Sequence, residues 1–230
     1  MNALPQTAPA SPRTVETKPS AWEEAYLRFE TPAEEIRKFR QRLLRLGAAD
    51  WPKDARIVEL FCGRGNGLRA LHMLGFKNAE GIDLSPHLAA CYDGPGQVRV
   101  GDCRELPFAN GSCAILIVQG GLHHLPGLPD DLEQTLSEAA RVLQPGGRCV
   151  AVEPWLTPFL RSVHAVCGMS LARAISPRID ALATMIEHER STYEQWLNNP
   201  ALVLQSLARH FRAELQCVRW GKLFYVGRRR

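Results

Sequence analysis

Between Arg56 and Pro154 the chain alternates short apolar runs with helix-patterned stretches, and this rhythm limits the fold more than any other feature. Arg56–Phe61, Ala79–Ile82, Gln97–Val100, Ala114–Val118 and Arg148–Val152 have strand length, and Asn66–Leu74, Pro86–Cys91 and Pro129–Leu143 between them read as helices. A run such as Ala114-Ile115-Leu116-Ile117-Val118, apolar at every position, suits a strand covered on both faces. Strands joined through helices return in the same direction, so the expectation is a parallel sheet with helices on both sides. The end of the chain differs. Ala213–Trp220 and Leu223–Val226 are separated only by Gly221-Lys222, too little for a crossover, and predict an antiparallel hairpin at a sheet edge. The expected fold is α/β: seven strands, mostly parallel, with an antiparallel C-terminal hairpin and a helical cap.

The cap comes from segments outside this rhythm. Residues 1–20 hold four prolines among Ala, Ser and Thr and read as a disordered leader. Residues 21–50 are helical: Trp22, Tyr26 and Phe29 share a face, and Thr31-Pro32-Ala33-Glu34 is a capping-box start. Glu23-Glu24 and Glu34-Glu35 read as solvated faces. Residues 51–154 form the core, 155–211 a helical insertion of about three segments, and 212–230 the edge hairpin followed by a solvated basic tail, Arg228-Arg229-Arg230.

Composition narrows the function classes. The 230 residues are 45% hydrophobic and 23% charged, as in a globular protein. No apolar run approaches the roughly 20 residues of a membrane span, so no membrane insertion is expected. Seven scattered cysteines without a C-x-x-C pair, and no export signal in residues 1–20, predict free thiols in the cytoplasm. The net charge of +4 is largely accounted for by the final arginines and does not call for nucleic acid. No His, Cys, Asp or Glu set has metal-ligand spacing; the adjacent His123 and His124 are expected to point to opposite sides of the backbone, and no metal is expected.

The segment Val58-Glu59-Leu60-Phe61-Cys62-Gly63-Arg64-Gly65-Asn66-Gly67 lies between the first strand and the first crossover helix. Glycines there let the backbone turn sharply and approach a ligand at the helix N-terminus, at the carboxyl edge of the sheet where α/β folds bind ligands. It is not a dinucleotide fingerprint, because Leu68 occupies the last glycine position, and it is not a phosphate-binding Walker loop, because no Gly-Lys-Ser/Thr follows.

This segment resembles the glycine loop of the class I S-adenosylmethionine-dependent methyltransferases of small-molecule type, a Rossmann-like family. Gly63 and Gly65 fall on two family glycines, Phe61 stands where the first is usual, and Gly67 is extra. Gly81-Ile82-Asp83-Leu84-Ser85 ends the second strand, and Gly101-Asp102-Cys103 ends the third. Val118-Gln119-Gly120-Gly121-Leu122-His123-His124 matches the fourth-strand exit, and Leu143-Gln144-Pro145-Gly146-Gly147-Arg148 the turn into the fifth strand. The resemblance implies S-adenosylmethionine as cofactor, bound through Glu59, Phe61, Cys62, Gly63, Gly65, Gly67, Asp83, Leu84, Asp102, Cys103 and Gln119. It implies that Asp83 takes the ribose hydroxyls and that Asp102, with the next backbone N–H, meets the adenine. Capping of local turns is the competing role for Asp83 and Asp102. Cys62 and Cys103 read as buried, inert thiols.

Methyl transfer from a sulfonium needs in-line positioning and water exclusion, and a base only where the nucleophile is protonated. His124, and secondarily His123, are the candidate catalytic residues, since imidazole titrates near neutrality; shaping the pocket is their alternative role. Residues 21–46 and 155–211 are expected to form a lid admitting an apolar or aromatic small-molecule acceptor. Two other readings compete. A nucleic-acid methyltransferase would show a Pro-Cys or an Asn/Asp-Pro-Pro-aromatic motif after the fourth strand, where this chain has Gln119-Gly120-Gly121. A non-catalytic scaffold with this fold would have no need of the loop and both carboxylates. The acceptor's identity and the oligomeric state are not legible.

Overall fold

Each strand-length run finds partners of matching direction. The computed structural model describes residues 19–230; the expected leader falls almost wholly outside them. Two cap helices come first, α1 (Ala21–Phe29) and α2 (Pro32–Arg45). The core follows as β1 (Ile57–Leu60), α3 (Asn66–Met73), β2 (Ala79–Asp83), α4 (Pro86–Ala90), β3 (Gln97–Val100), β4 (Cys113–Gln119), α5 (Asp130–Val142) and β5 (Leu143–Pro154). A 3₁₀ turn, Leu122–His124, leaves β4. The insertion holds α6 (Pro158–Cys167), α7 (Ser170–Ile175), α8 (Pro177–His188), α9 (Arg190–Asn198) and α10 (Pro200–His210), and the chain closes with β6 (Phe211–Arg219) and β7 (Lys222–Arg229).

The sheet runs β3-β2-β1-β4-β5-β7-β6. The first five strands are parallel, and β7 is antiparallel to both β5 and β6. This is the seven-stranded, mostly parallel α/β fold with an antiparallel end. The β3–β4 crossover is made of turns instead of a helix, and the insertion has five helices where about three were expected.

Two apolar layers sandwich the sheet. On one side Val58, Leu60, Leu116 and Val118 pack with Leu132 and Leu136 of α5, Trp196 of α9 and Leu207 of α10. On the other, Ile57, Ile115, Ile117 and Val152 meet Leu68 and Leu71 of α3 and Leu43 of α2. Burial of each such side chain contributes about 1.5–3 kcal/mol, so α2 is held to the core by its own apolar face. Both cap helices start with a reciprocal capping box, Ser20 with Glu23 and Thr31 with Glu34.

Two local expectations fail. Arg228 and Arg229 are strand residues: Arg228 Nε donates to Glu214 Oε1 at 2.6 Å, and Arg229 donates to the Leu143 carbonyl. The hairpin register that pairs β7 with both neighbours continues through them, so they cannot form a free tail. Glu35 is buried, drawn inward by the Arg64 guanidinium.

Candidate active site

The carboxyl ends of β3, β2, β1, β4 and β5 open into a cavity of about 870 Å³, roofed by α1, α2, α8 and α9. Glu59, Phe61, Cys62, Gly63, Asp83, Leu84, Asp102, Cys103, Gln119, His123 and His124 line it. Asp83 and Asp102, from adjacent strands, therefore face one crevice. Gly65 and Gly67 do not line it, although both were expected to touch a ligand. Gly65 caps α3 at φ +73°, and a Cβ there would strike the Tyr92 ring at 2.2 Å. A Cβ on Gly67 would lie 2.0 Å from Glu59 Oε1. These two glycines serve close packing, and Gly67 specifically clears room for the Glu59 carboxylate. Phe61 takes a left-handed φ of 54°, the conformation for which glycine is the usual choice.

Glu59 is the most unusual group. Gln119 Nε2 donates to its Oε1 at 3.3 Å, while Glu59 Oε2 and Gln119 Oε1 are buried without a hydrogen-bond partner among the described residues. Burial pushes the Glu59 carboxyl up to about 8, the Gln119 bond opposes this, and the nearby Glu35 and Asp83 add to it. Two adjacent buried acceptor atoms with no donor make a socket for a cationic N–H group.

Asp83 Oδ2 accepts the Gly63 N–H at 2.6 Å and its Oδ1 the Ser85 N–H at 2.9 Å. Burial raises its pKa against those bonds. Asp102 is held by Arg104, whose Nη2 donates to Oδ2 at 2.7 Å and whose Nη1 reaches Asp131 at 2.6 Å; the Arg104 bonds keep the Asp102 carboxyl below its usual range. Burial pushes the Cys62 thiol far up and the Cys103 thiol up to about 11, so neither is a nucleophile.

The 3₁₀ turn overturns the expected divergence of the two histidines. Their ring centroids lie 4.1 Å apart, and both rings face Glu189 at the α8–α9 junction. His123 is buried, with Nδ1 2.8 Å from Glu153 Oε2. Burial works against its protonation, but the bonds to Glu153 and Glu189 prevail and raise its pKa to about 9. His123 is thus an imidazolium at neutral pH, suited to holding the turn and unsuited to removing a proton. Glu153 also accepts the Gly121 and Leu122 N–H groups at 2.9 and 3.0 Å. His124 is half-buried, with Nδ1 2.8 Å from Glu189 Oε2, which also accepts Trp22 Nε1–H at 2.9 Å. Burial would raise the Glu189 carboxyl; the two histidines outweigh it and hold it at about 2. His123, His124 and Glu189 offer donor atoms within 4.8 Å of one another, a spacing a metal could use.

The cap is bolted to the glycine loop. Arg64 Nε and Nη2 donate to Glu35 Oε2 at 3.0 and 2.9 Å, Asn66 Nδ2 donates to the same oxygen at 2.7 Å, and Tyr26 O–H donates to Glu35 Oε1 at 2.8 Å. Glu35, Glu153 and Glu189 were not singled out from the sequence. A helix-face glutamate, a strand-end glutamate and an insertion glutamate carry no local mark of their partners.

Known proteins are similar to this chain over part of its length. Residues 58–151 match the model of the family described as "Methyltransferase domain". The matched stretch runs from Val58 in β1 to Ala151 in β5, the parallel part of the sheet. Over 122 residues the chain is 33% identical to EEF1A lysine methyltransferase 4 of Mus musculus, covering 44% of this chain and 46% of that protein. It is 28% identical over 125 residues to demethylmenaquinone methyltransferase of Bacillus licheniformis, covering 51% of each. The chain thus spans about half the length of these curated relatives. A solved structure of a Pyrococcus horikoshii OT3 protein superposes with a TM-score of 0.67 at 16% identity, over 93% of this chain and all of that one, which shows the shared fold. The two relatives are named for different acceptors, so the match leaves the acceptor open.

Proposed function

We propose that this protein transfers a methyl group from S-adenosylmethionine to a small-molecule acceptor enclosed beneath the helical cap. The observation that carries this reading is the meeting of Glu59, Asp83, Asp102 and Gln119, from four neighbouring strand ends, in one cavity, with Glu59 Oε2 and Gln119 Oε1 left without a donor among the described residues. The α-ammonium of the cofactor is the N–H cation that fits such a socket. A scaffold would gain nothing from burying an unsatisfied carboxylate, which costs stability.

In this reading Asp83 accepts the ribose hydroxyls, and Asp102 with the Cys103 N–H takes the adenine edge. The exposed Leu84 side chain gives the ring an apolar surface. Bound S-adenosylmethionine would supply an activated methyl group on its sulfonium. The chain's residues hold the geometry and keep water out: Trp22, Tyr26 and Phe61 wall the cavity near His124. The Glu189–His124 pair is a base and its orienter. With Nδ1–H donated to Glu189, His124 Nε2 is left to take the proton of an acceptor hydroxyl or acidic carbon. His123 is the positioning residue that fixes this turn.

The cavity's size suits a small acceptor beside the cofactor. Among the described residues no helix is long and apolar enough to cross a membrane. A cytoplasmic setting is part of the same reading, supported by seven free cysteines. Calorimetry with S-adenosylhomocysteine tests the assignment. Micromolar binding, lost in Asp83→Ala, is expected; absence of binding by the wild type overturns it.

A further inference from the structure

The cavity has a second, oppositely charged end. Lys222, the first residue of β7, pairs in register with Pro154 and lines the cavity. Arg42 of α2 lines it too, with its guanidinium 5.7 Å from the Phe39 ring centroid. Among the described residues neither has a hydrogen-bond or ion-pair partner. Lys38, one turn before Arg42, is paired with Glu30. The carboxylates nearest in effect to Lys222 are Glu153 and Glu30, and both are committed elsewhere. Glu153 holds His123 and two backbone N–H groups, and Glu30 holds Lys38 and Arg178. Burial, then the like charges of Arg42 and Lys38, lower the Lys222 pKa to about 7, and burial lowers that of Arg42 to about 10. Two partly buried basic side chains line one end of the cavity with no counter-ion among the described residues, and an incoming anion there would favour the charged form of both.

The cofactor's own carboxylate is badly placed to be that anion. Along the sheet, Lys222 stands three strands beyond Glu59, in the order β1-β4-β5-β7. At ~4.8 Å per strand spacing that is about 14 Å. The ammonium and carboxylate of an amino acid share one carbon, so an ammonium seated at Glu59 and Gln119 keeps its carboxylate at that end. Between them lie β4, whose exit turn carries His123 and His124, and β5, which carries Glu153, the groups assigned above to the transfer position.

We propose that the methyl acceptor is an amphiphilic anion, a small molecule whose carboxylate or phosphate is held by Lys222 and Arg42 while its apolar body lies against Phe39, Leu182, Met185 and Ile186. This rests on the methyltransferase reading and adds the acceptor's chemical class to it. The anion takes no part in bond making; it fixes the distance between its own headgroup and the methylated atom. Arg42 offers a planar fork and Lys222 a point charge, a combination that serves either oxyanion.

The test uses the full chain saturated with S-adenosylhomocysteine, titrated with phenylpropionate, phenyl phosphate and the neutral phenylpropionamide. At least one anion is expected to bind tenfold or more tighter than the amide, and the preferred headgroup distinguishes carboxylate from phosphate. Lys222→Met and Arg42→Gln are each expected to weaken that anion at least tenfold, leaving S-adenosylhomocysteine within twofold of wild type; Lys222→Arg should recover part of the loss. Three results overturn the proposal: no anion preferred over the amide by the wild type, variants that retain the preference, or variants that weaken S-adenosylhomocysteine tenfold while 5′-methylthioadenosine binds as before. The last would give the cations to the cofactor's carboxylate. Failure of the wild type to bind S-adenosylhomocysteine at all is a separate outcome that sinks the methyltransferase reading itself.

Discussion

Replacing Glu59 with Gln keeps the shape of the cavity floor and removes its charge. The magnitude follows from the carboxyl's position. Raising a pKa from 4.5 to about 8 corresponds to roughly 5 kcal/mol of preference for the protonated form in the folded, ligand-free protein. The sign is as follows. Between 4.5 and about 8 the folded state holds a proton that the unfolded state has released, so stability falls as pH rises through this window and is level above it. An ammonium ligand requires the ionised carboxylate. At pH 7 a group with its midpoint near 8 is roughly nine-tenths protonated, so binding should expel about 0.9 proton. Calorimetric titration of S-adenosylhomocysteine at pH 7, in buffers of different ionisation enthalpy, reads this number directly. Affinity should climb by close to tenfold per pH unit up to about 8 and then level off. Glu59→Gln should abolish the proton release and weaken binding at pH 8 at least tenfold. It should also make the ligand-free protein more resistant to urea at pH 8 by a few kcal/mol. A wild type that releases no proton, or a variant that binds within twofold of wild type at pH 8, refutes the socket.

Three further outcomes are expected. Glu35→Gln and Arg64→Met each break a buried ion pair and should cost about 3–5 kcal/mol, a drop of roughly 10 °C in Tm by calorimetry; an unchanged Tm would show that the cap is not anchored there. His123→Gln should remove a pH dependence. The raised His123 pKa contributes about 3 kcal/mol below pH 6.5 that is lost as pH climbs to about 9, so denaturation midpoints of wild type and variant should converge at alkaline pH, and parallel curves would contradict the assignment. Gly67→Ala should abolish S-adenosylhomocysteine binding by driving the Glu59 carboxylate aside, and the double variant Gly67→Ala, Glu59→Ser should regain thermal stability without regaining affinity.

What could be read before the structure was local. Asp83 ends β2, Asp102 lies two residues past β3, and Gly63 and Gly65 lie three and five residues past β1, so their place at the sheet's carboxyl edge came with the strand pattern itself. The same holds for the hairpin, whose two-residue joint admits one topology. What could not be read depends on long-range meetings. Glu35 lies 29 residues from Arg64 in sequence, and Trp22 lies 167 from Glu189. Nothing in Ala33-Glu34-Glu35 separates the glutamate that caps the helix from the one that turns inward. The difference is one of helical phase, about 100° per residue, set by which face of α2 carries Leu43 onto the core. The two histidines misled for the same reason. Alternation is a property of strands, whereas a 3₁₀ turn rotates successive residues by about 120° instead of about 180°, so adjacent rings there can meet.

The charge pattern along the sheet edge explains why one cavity can hold both reactants without confusing them. Asp102, Asp83 and Glu59 stand at the carboxyl ends of β3, β2 and β1, whereas Lys222 opens β7 and Arg42 reaches the same end from α2. The acidic half favours a cationic donor and disfavours an anion; the basic half does the reverse. At the boundary β4 and β5 present Gln119, the imidazolium of His123 and the Glu153 carboxylate, the last two neutralising each other so that neither field leaks far into the opposite half. Exchanging the charges at one end, for instance by Lys222→Glu, should therefore disturb acceptor selection far more than cofactor affinity, and kcat/KM against the anionic acceptor measured at saturating S-adenosylmethionine is the quantity in which that asymmetry would appear.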